Sequence, residues 1–329
     1  MIQTPRRFLR VEQNIRSYLV RRLLPLVKAE LASCEATVPL AGMNSLVRIV
    51  RTDDGKGFVV RVYPRSTRKK VRLLVDAYEL LRSKGVSVPE IVDWIEDFSK
   101  SHLAIYSERL IEGQTLAQCR FAPASSAQLA ELLIPLHRAK SPRWGEPKRL
   151  KEGDFSAYSM KRVMNRLRRV RKGLTRATDP AVFRKISDWF ANQRHRFAEV
   201  RQFDLTHDKI NPGNLLWADQ QKRYYLLDLV TLRYGARTKD LVALYHEILR
   251  HDREVIGQFE RVYFAAFPDE ERRQNEALWP WYHAYYHLAE AASQIKRMHA
   301  ATSRLALAGS SHYDKFLRHW ERLLRIIGE

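Results

Sequence analysis

Apolar side chains recur at helical spacing through Phe8, Val11, Ile15, Leu19, Leu23 and Leu26, which predicts an amphipathic helix over residues 1 to about 35. Pro25 stands inside that stretch and would kink or end it. From Val38 to Tyr63 the pattern changes to two β-rich runs, VPLAGMNSLVRIVRT and GKGFVVRVYP. They are separated by Asp53-Asp54-Gly55-Lys56-Gly57, a hairpin-turn composition. STRKKVRLLVDAYELLRSKG reads as a helix ended by Gly85 as a C-terminal cap, and VSVPEIVDWIED and HLAIYSERLIEG as two further strands. From Thr115 onward the periodicity is mainly helical, broken by a loop and strand region from Phe203 to Arg237 and closed by the aromatic-rich run WPWYHAYYHLAEAASQIKRMHAA. The expectation is an α+β chain in three parts: a basic helix (residues 1–36), a strand-rich part (37–113) and a larger helical part (114–329). The last two join near Ile111-Glu112-Gly113. No internal repeat or low-complexity tract interrupts this order.

Composition adds a constraint. With 329 residues and 45% hydrophobic content the chain can bury one large core or two smaller ones. Cys34 and Cys119 stand far apart with no His or Cys at metal-ligand spacing around them, which supports neither a disulfide framework nor a zinc site and suits a reducing compartment. The arginine-studded N-terminus lacks the pattern of a signal peptide, and no run approaches a membrane span, so cytoplasm is the expected location, with attachment to the inner membrane surface a further option. The unusual quantity is charge: 58 Lys and Arg against 37 Asp and Glu leave +21. Basic residues gather at the N-terminus and between Lys161 and Arg176, where they would attract a phosphorylated substrate, an anionic membrane surface or nucleic acid.

The chemistry concentrates in LTHDKINPGNLLW, Leu205 to Trp217, followed by YYLLDLVTLRYG. A polar Asn-Pro-Gly-Asn turn sits between apolar runs, and a second apolar run ends in the single carboxylate Asp228, so polar groups are presented at the ends of short buried strands. Asn214 and Asp228 supply the hard oxygen ligands that Mg²⁺ prefers, a carboxylate and an amide as used in phosphoryl transfer.

At these residues the sequence resembles the aminoglycoside phosphotransferase and choline kinase family, whose loop reads His-Gly-Asp-Leu-His-Pro-Gly-Asn before a strand ending in a metal-binding Asp. Here the loop is His207-Asp208-Lys209-Ile210-Asn211-Pro212-Gly213-Asn214. Other pieces follow in family order. Leu40-Ala41-Gly42-Met43-Asn44-Ser45 is similar to the phosphate-covering hairpin turn and Gly85-Val86-Ser87-Val88-Pro89 to Gly-Val-Pro-Val-Pro. Ile111-Glu112-Gly113-Gln114-Thr115-Leu116 is similar to the segment after the interlobe hinge. Leu136-His137-Arg138 and Lys239-Asp240-Leu241 are similar to the family's Leu-His helix end and structural Asp-Leu. The resemblance implies a two-lobed protein-kinase-like fold, a small antiparallel β lobe before a larger helical lobe. It also implies ATP and Mg²⁺ as cofactors, Gly42, Asn44, Ser45, Arg61 and Glu108 at the nucleotide, and Asn214 and Asp228 at the metal.

The departures are specific. Without a gap, the family's catalytic aspartate falls on Lys209, whose ammonium has no lone pair to accept a proton. Asp208 is adjacent and could replace it through a one-residue adjustment of the loop, or could orient the acceptor while Lys209 stabilises the charge of the transferring phosphoryl group; Asp204 is a more distant candidate, and His207 is chiefly a scaffold candidate, with direct catalysis as the lesser reading. The strand lysine is Arg61, and the helical glutamate that would pair with it is Leu74, with Asp76 and Glu79 nearby. Asp240 reads as structural, and the cluster from Trp279 to His287 as core, with an acceptor-pocket wall as the lesser reading. The expected activity is an ATP- and Mg²⁺-dependent phosphotransferase acting on a hydroxyl of a small or anionic acceptor, since a basic protein gains nothing by steering cationic substrates. The alternatives are a degraded kinase fold that binds nucleotide as a scaffold, and a basic nucleic-acid or membrane-surface binder.

Overall fold

The computed structural model describes residues 6–36, 46–63, 69–98, 103–119, 125–174, 179–250, 252–301 and 311–328. The chain opens with α1 (Arg6–Tyr18), a π turn (Leu19–Leu23) and α2 (Leu24–Val27), where Lys28 turns left-handed at φ 53° and ends the helix. The helix expected to reach residue 35 therefore stops at Val27. Pro25 withdraws one ladder donor, the turn before it widens to π, and Leu31–Ala36 gains ladder partners as a strand, β1. Ile15, Leu19 and Leu23 are buried as expected, whereas Leu26 is 55% exposed.

Next come β2 (Leu46–Thr52), β3 (Gly57–Tyr63), α3 (Lys69–Ser83), β4 (Ile91–Phe98) and β5 (Leu103–Arg109). They build an antiparallel sheet in the order β1-β2-β3-β5-β4. Gly85 caps α3 with φ +78°, a conformation that costs glycine nothing, and the Val86 amide bonds back to the Leu81 carbonyl. Alternation along β3 sends Phe58, Val60 and Val62 into a core with Ile15, Tyr18, Leu19 and Leu23, and sends Val59, Arg61 and Tyr63 to the opposite face. Tyr18 donates to Ser107 at 3.1 Å, and Arg22 forks onto Asp93 at 2.9 and 2.7 Å, so the basic helix is stitched to β4 and β5.

The remaining elements are β6 (Gln114–Thr115), α4 (Ser126–Arg138), β7 (Lys140–Ser141), β8 (Trp144–Glu146), β9 (Arg149–Lys151), α5 (Phe155–Gly173), α6 (Pro180–Asn192), β10 (Phe203–Thr206), β11 (Leu215–Ala218), β12 (Arg223–Leu226), β13 (Arg233–Gly235), α7 (Thr238–Leu244), α8 (Arg253–Ala265), α9 (Asp269–Ala301) and α10 (Ser311–Ile327). Helices dominate from Thr115 onward as expected. Strands β6 to β9, two or three residues each, are too short for a period of two to register in the sequence. Contacts divide the chain into two compact units: Met1–Leu136 with Pro212–Leu232, and His137–Asn211 with Arg233–Glu329. The first holds the five-stranded sheet and the small sheet β12-β11-β6; the second holds the sheet β7-β10-β13-β8-β9 and a helical core around Phe190, Trp281 and Phe316. No helix among the described residues is long and apolar enough to cross a membrane.

At Gly113 in the first unit, an added Cβ would collide with the carbonyl oxygen of Trp217, whose residue pairs with Gln114 across β6 and β11. Gly113→Ala should therefore separate that pairing and cost about 1–3 kcal/mol. A lowered urea midpoint at unchanged slope would show it; an unchanged midpoint would contradict the packing.

Candidate functional site

In the second unit, β10 is held between β7 and β13, with Asp204 opposite Gly235 and Thr206 opposite Arg233. Where β10 ends, the next two backbone amides have no strand to bond. Asp240, near the start of α7, accepts both: His207 N–H at 2.6 Å and Asp208 N–H at 2.9 Å. Its carboxylate is 1% exposed, with the His137 ring 3.5 Å away, and His137 in turn meets the Tyr263 hydroxyl at 2.6 Å. His207 is wholly buried beside this clamp. Asp204 is buried among Lys140 (3.7 Å) and Arg237 (3.8 Å), and burial raises its carboxyl even against those charges.

Asp208 has left-handed backbone, φ 64°. Its side chain is ringed by three cations: Arg162 donates to both oxygens at 3.3 and 3.1 Å, Arg233 lies 3.4 Å away, and Lys239 makes a close ion pair and also reaches the Asp208 carbonyl at 2.9 Å. Burial alone would raise this carboxyl; the charges of Lys239, Arg162 and Arg233 outweigh it and hold the group well below the usual carboxylate range. Three cations on one carboxylate leave two positive charges in excess. The surplus is felt at Tyr285, whose ring lies under Arg162 (5.6 Å) and Lys239 (6.0 Å). Burial would push this phenol up, yet Arg162, Lys239 and Arg166 together bring it below its ordinary value. Lys209, next along the loop, is exposed.

In the first unit, the hairpin of β11 and β12 pairs Leu215 with Leu226, and the Leu227 amide donates to the Asn214 carbonyl at 2.9 Å. That rung fixes Asn214 and Asp228 at the same end of the hairpin, Asn214 buried and Asp228 partly exposed in left-handed backbone, φ 58°. On the sheet, Arg61 stands opposite Tyr106, and Glu108 one diagonal step away; their side chains pair at 3.2 Å. The Tyr78 hydroxyl from α3 also bonds Glu108, while Tyr63 stacks on Tyr106 at 6.1 Å. Leu74, at the expected helical-glutamate position, is a buried core residue, so the partner of Arg61 comes from the neighbouring strand. Gly42, Asn44 and Ser45 lie outside the described residues. Of the aromatic cluster, Trp281, Tyr282, Tyr285 and His287 are buried.

Sequence reasoning missed Arg162, Arg233 and Lys239 as partners of one carboxylate. Arg162 lay inside a basic run and Lys239 beside the quoted Asp240, but separations of 46 and 31 residues from Asp208 leave no local signal.

A sequence profile of the Phosphotransferase enzyme family matches residues 35–275. No curated protein matches the chain by sequence. Among solved structures, a choline/ethanolamine kinase family protein from Mesorhizobium loti superposes with a TM-score of 0.61 at 17% identity, covering 97% of this chain and 95% of its own. A thermostable mutant of an aminoglycoside phosphotransferase gives 0.62 at 12% identity over 94% and 97%. A spectinomycin phosphotransferase in complex with ADP and spectinomycin gives 0.59 at 12% identity over 93% and 97%. These likenesses establish a kinase-like fold, an antiparallel sheet unit with a helical one.

Asp208→Asn keeps a side chain that tolerates left-handed backbone and removes only the charge. Leaving the cations uncompensated should cost about 2–4 kcal/mol at pH 7. Because the folded carboxyl lies below its unfolded value near 3.9, its contribution is complete above that pH and fades as pH falls further. The gap between wild type and variant in urea melts should therefore be constant from pH 5 to 8 and shrink below about pH 4. A gap that grows on acidification would contradict the ion cage.

Proposed function

The chain belongs to the phosphotransferase enzyme family, and from that premise we propose that it transfers the terminal phosphoryl group of ATP, with Mg²⁺, to a hydroxyl of an anionic acceptor. The observation that carries the anionic preference is the excess of positive charge around Asp208, strong enough to bring down the buried phenol of Tyr285. A choline- or aminoglycoside-like cation would be repelled there, while a phosphorylated or carboxylated molecule would be drawn in.

Asn214 and Asp228 fit Mg²⁺ by donor chemistry: an amide oxygen and a carboxylate, held at one end of a paired hairpin, with no soft ligand in the set. When bound, the metal supplies charge neutralisation on the phosphates. Arg61, braced by Glu108, is the cation suited to a phosphate of the nucleotide. The left-handed φ of Asp208 is the conformation a glycine takes at no cost. It supports the gapless register in which Asp208 stands at the family's Gly and Lys209 at the family's aspartate. Asp208 then cannot act as an ordinary base, since Arg162, Arg233 and Lys239 surround its carboxylate and disfavour its protonation; its role is to hold those cations in place. A base typically contributes about 10²–10⁴-fold, whereas the loose transition state of phosphoryl transfer depends mainly on positioning and charge neutralisation. Lys209 would contribute to the latter, giving a slow enzyme.

The same ion cage favours a second reading, a nucleotide-binding protein without transfer. Thermal melts with and without ATP and Mg²⁺ separate the steps. Mg²⁺ with ATP at about 100 times its dissociation constant should add roughly 2.7 kcal/mol of stability. Asp228→Asn, which keeps the left-handed turn, should abolish the gain. Phosphate transfer to anionic but not cationic hydroxyl compounds, with KM raised roughly tenfold by Arg233→Gln, would support the enzyme; stabilisation without transfer to any acceptor would support the second reading. No shift at millimolar ATP would refute both.

A further inference from the structure

We infer that His246, His283 and His287, gathered by the helices of the second unit, form a binding site for a first-row divalent transition-metal ion of the Zn²⁺ or Co²⁺ kind. Each offers one ring nitrogen, and the three nitrogens lie within 4.8 Å of one another. None belongs to the residues assigned to phosphoryl transfer. Spacing around the two cysteines excludes a thiolate site; the fold builds this one from imidazoles alone.

The geometry has local causes. His283 and His287 are four residues apart on α9 and share a helix face. His246 comes from the turn after α7, where Tyr245–Leu249 is a π turn, a widening of the ladder often found at functional sites. The His246 ring stacks nearly parallel on Tyr286 at 4.5 Å and on His283 at 4.9 Å, so these rings meet face to face, and their in-plane lone pairs converge on one ion after rotation about the side-chain torsions. His287 is 1% exposed, and its Nδ1 meets Nδ1 of His319 on α10 at 3.0 Å. That contact engages one ring nitrogen and leaves Nε2 as the atom His287 can give to an ion, with the His319 ring in the orienting place that a carboxylate or carbonyl more often takes.

Donor chemistry selects the ion. Neutral imidazole binds Zn²⁺, Co²⁺, Ni²⁺ and Cu²⁺ and is a poor ligand for Mg²⁺ or Ca²⁺. A neutral imidazole carries one N–H and one in-plane lone pair, so each of the three rings has one nitrogen to give. Around a tetrahedral ion with Zn–N near 2.0–2.1 Å the nitrogens would sit roughly 3.3 Å apart, a contraction within the reach of side-chain rotation. Carboxylates stand close along the same elements. Glu247 follows His246 and accepts from the Tyr286 hydroxyl at 2.5 Å; Glu290 lies one turn beyond His287, its carboxyl raised by burial and by Glu247. Arg318 and Arg322 oppose a cation from α10. An ion held by the three rings would cross-link the turn after α7 to α9 and leave a fourth position open, as three-histidine zinc sites do.

The test is titration of the untagged, chelator-treated full chain with Co²⁺ in the absence of nucleotide. One Co²⁺ per chain is expected, with the intense visible absorption of a low-coordinate nitrogen site, displaced by Zn²⁺ and unaffected by Mg²⁺. His246→Asn and His283→Asn, both at partly exposed rings, should each weaken binding at least about tenfold, with folding checked by circular dichroism, while Asp228→Asn should leave it unchanged. Absence of that absorption from the folded wild-type protein overturns the inference. So does binding that survives both histidine variants or is lost with Asp228→Asn.

Discussion

The carboxylate of Asp240 is almost wholly removed from water, and its burial is tolerable only because other parts of the second unit meet it with donors. Two of those donors are the amides of His207 and Asp208, the first groups beyond the end of β10, where strand pairing stops. One side chain thus solves two problems: a buried charge gains partners, and a turn gains a fixed backbone. The left-handed residue that follows from this geometry is Asp208, so the clamp also decides where a second carboxylate points. Around that carboxylate, Arg162 from α5, Arg233 from β13 and Lys239 from α7 converge. Three separate elements are in register with one loop because the loop is held by Asp240.

The first unit meets the same constraint with a different device. Its central strands are covered on both faces, by α1 and the π turn on one side and by α3 on the other, so a cation on β3 cannot reach bulk water freely. Arg61 is compensated by the diagonal Glu108 and surrounded by the rings of Tyr63, Tyr78 and Tyr106. Leu74 of α3 is a buried core residue, so the counter-charge to Arg61 comes from the neighbouring strand.

Legibility followed the range of the interaction. The hairpin at Asp53 to Gly57, the helix capped by Gly85 and the strands around Trp94 and Ile105 were readable, because turn chemistry and side-chain periodicity act within a few residues. The end of the first helix was misplaced by eight residues or so, since Leu31–Ala36 has no strand signature of its own and is a strand only because β2 lies beside it. At the site, Asp240 was readable as structural, and it accepts from the His207 and Asp208 amides. The cations around Asp208 were not, because each is contributed by a distant segment whose local role is that of an ordinary basic residue.

By itself the sequence determined an α+β chain of the phosphotransferase family, its hairpins and caps, a strong positive charge and a polar loop running from His207 to Asn214. All of these depend on residue type, local spacing or order along the chain. Tertiary structure alone decided that Asp208 is enclosed by three cations, that Arg61 is answered by Glu108, and that three histidines from two helical segments face one another. Charge and ligand geometry act through space, over a few ångströms, and the chain brings such groups together only after its strands and helices have packed.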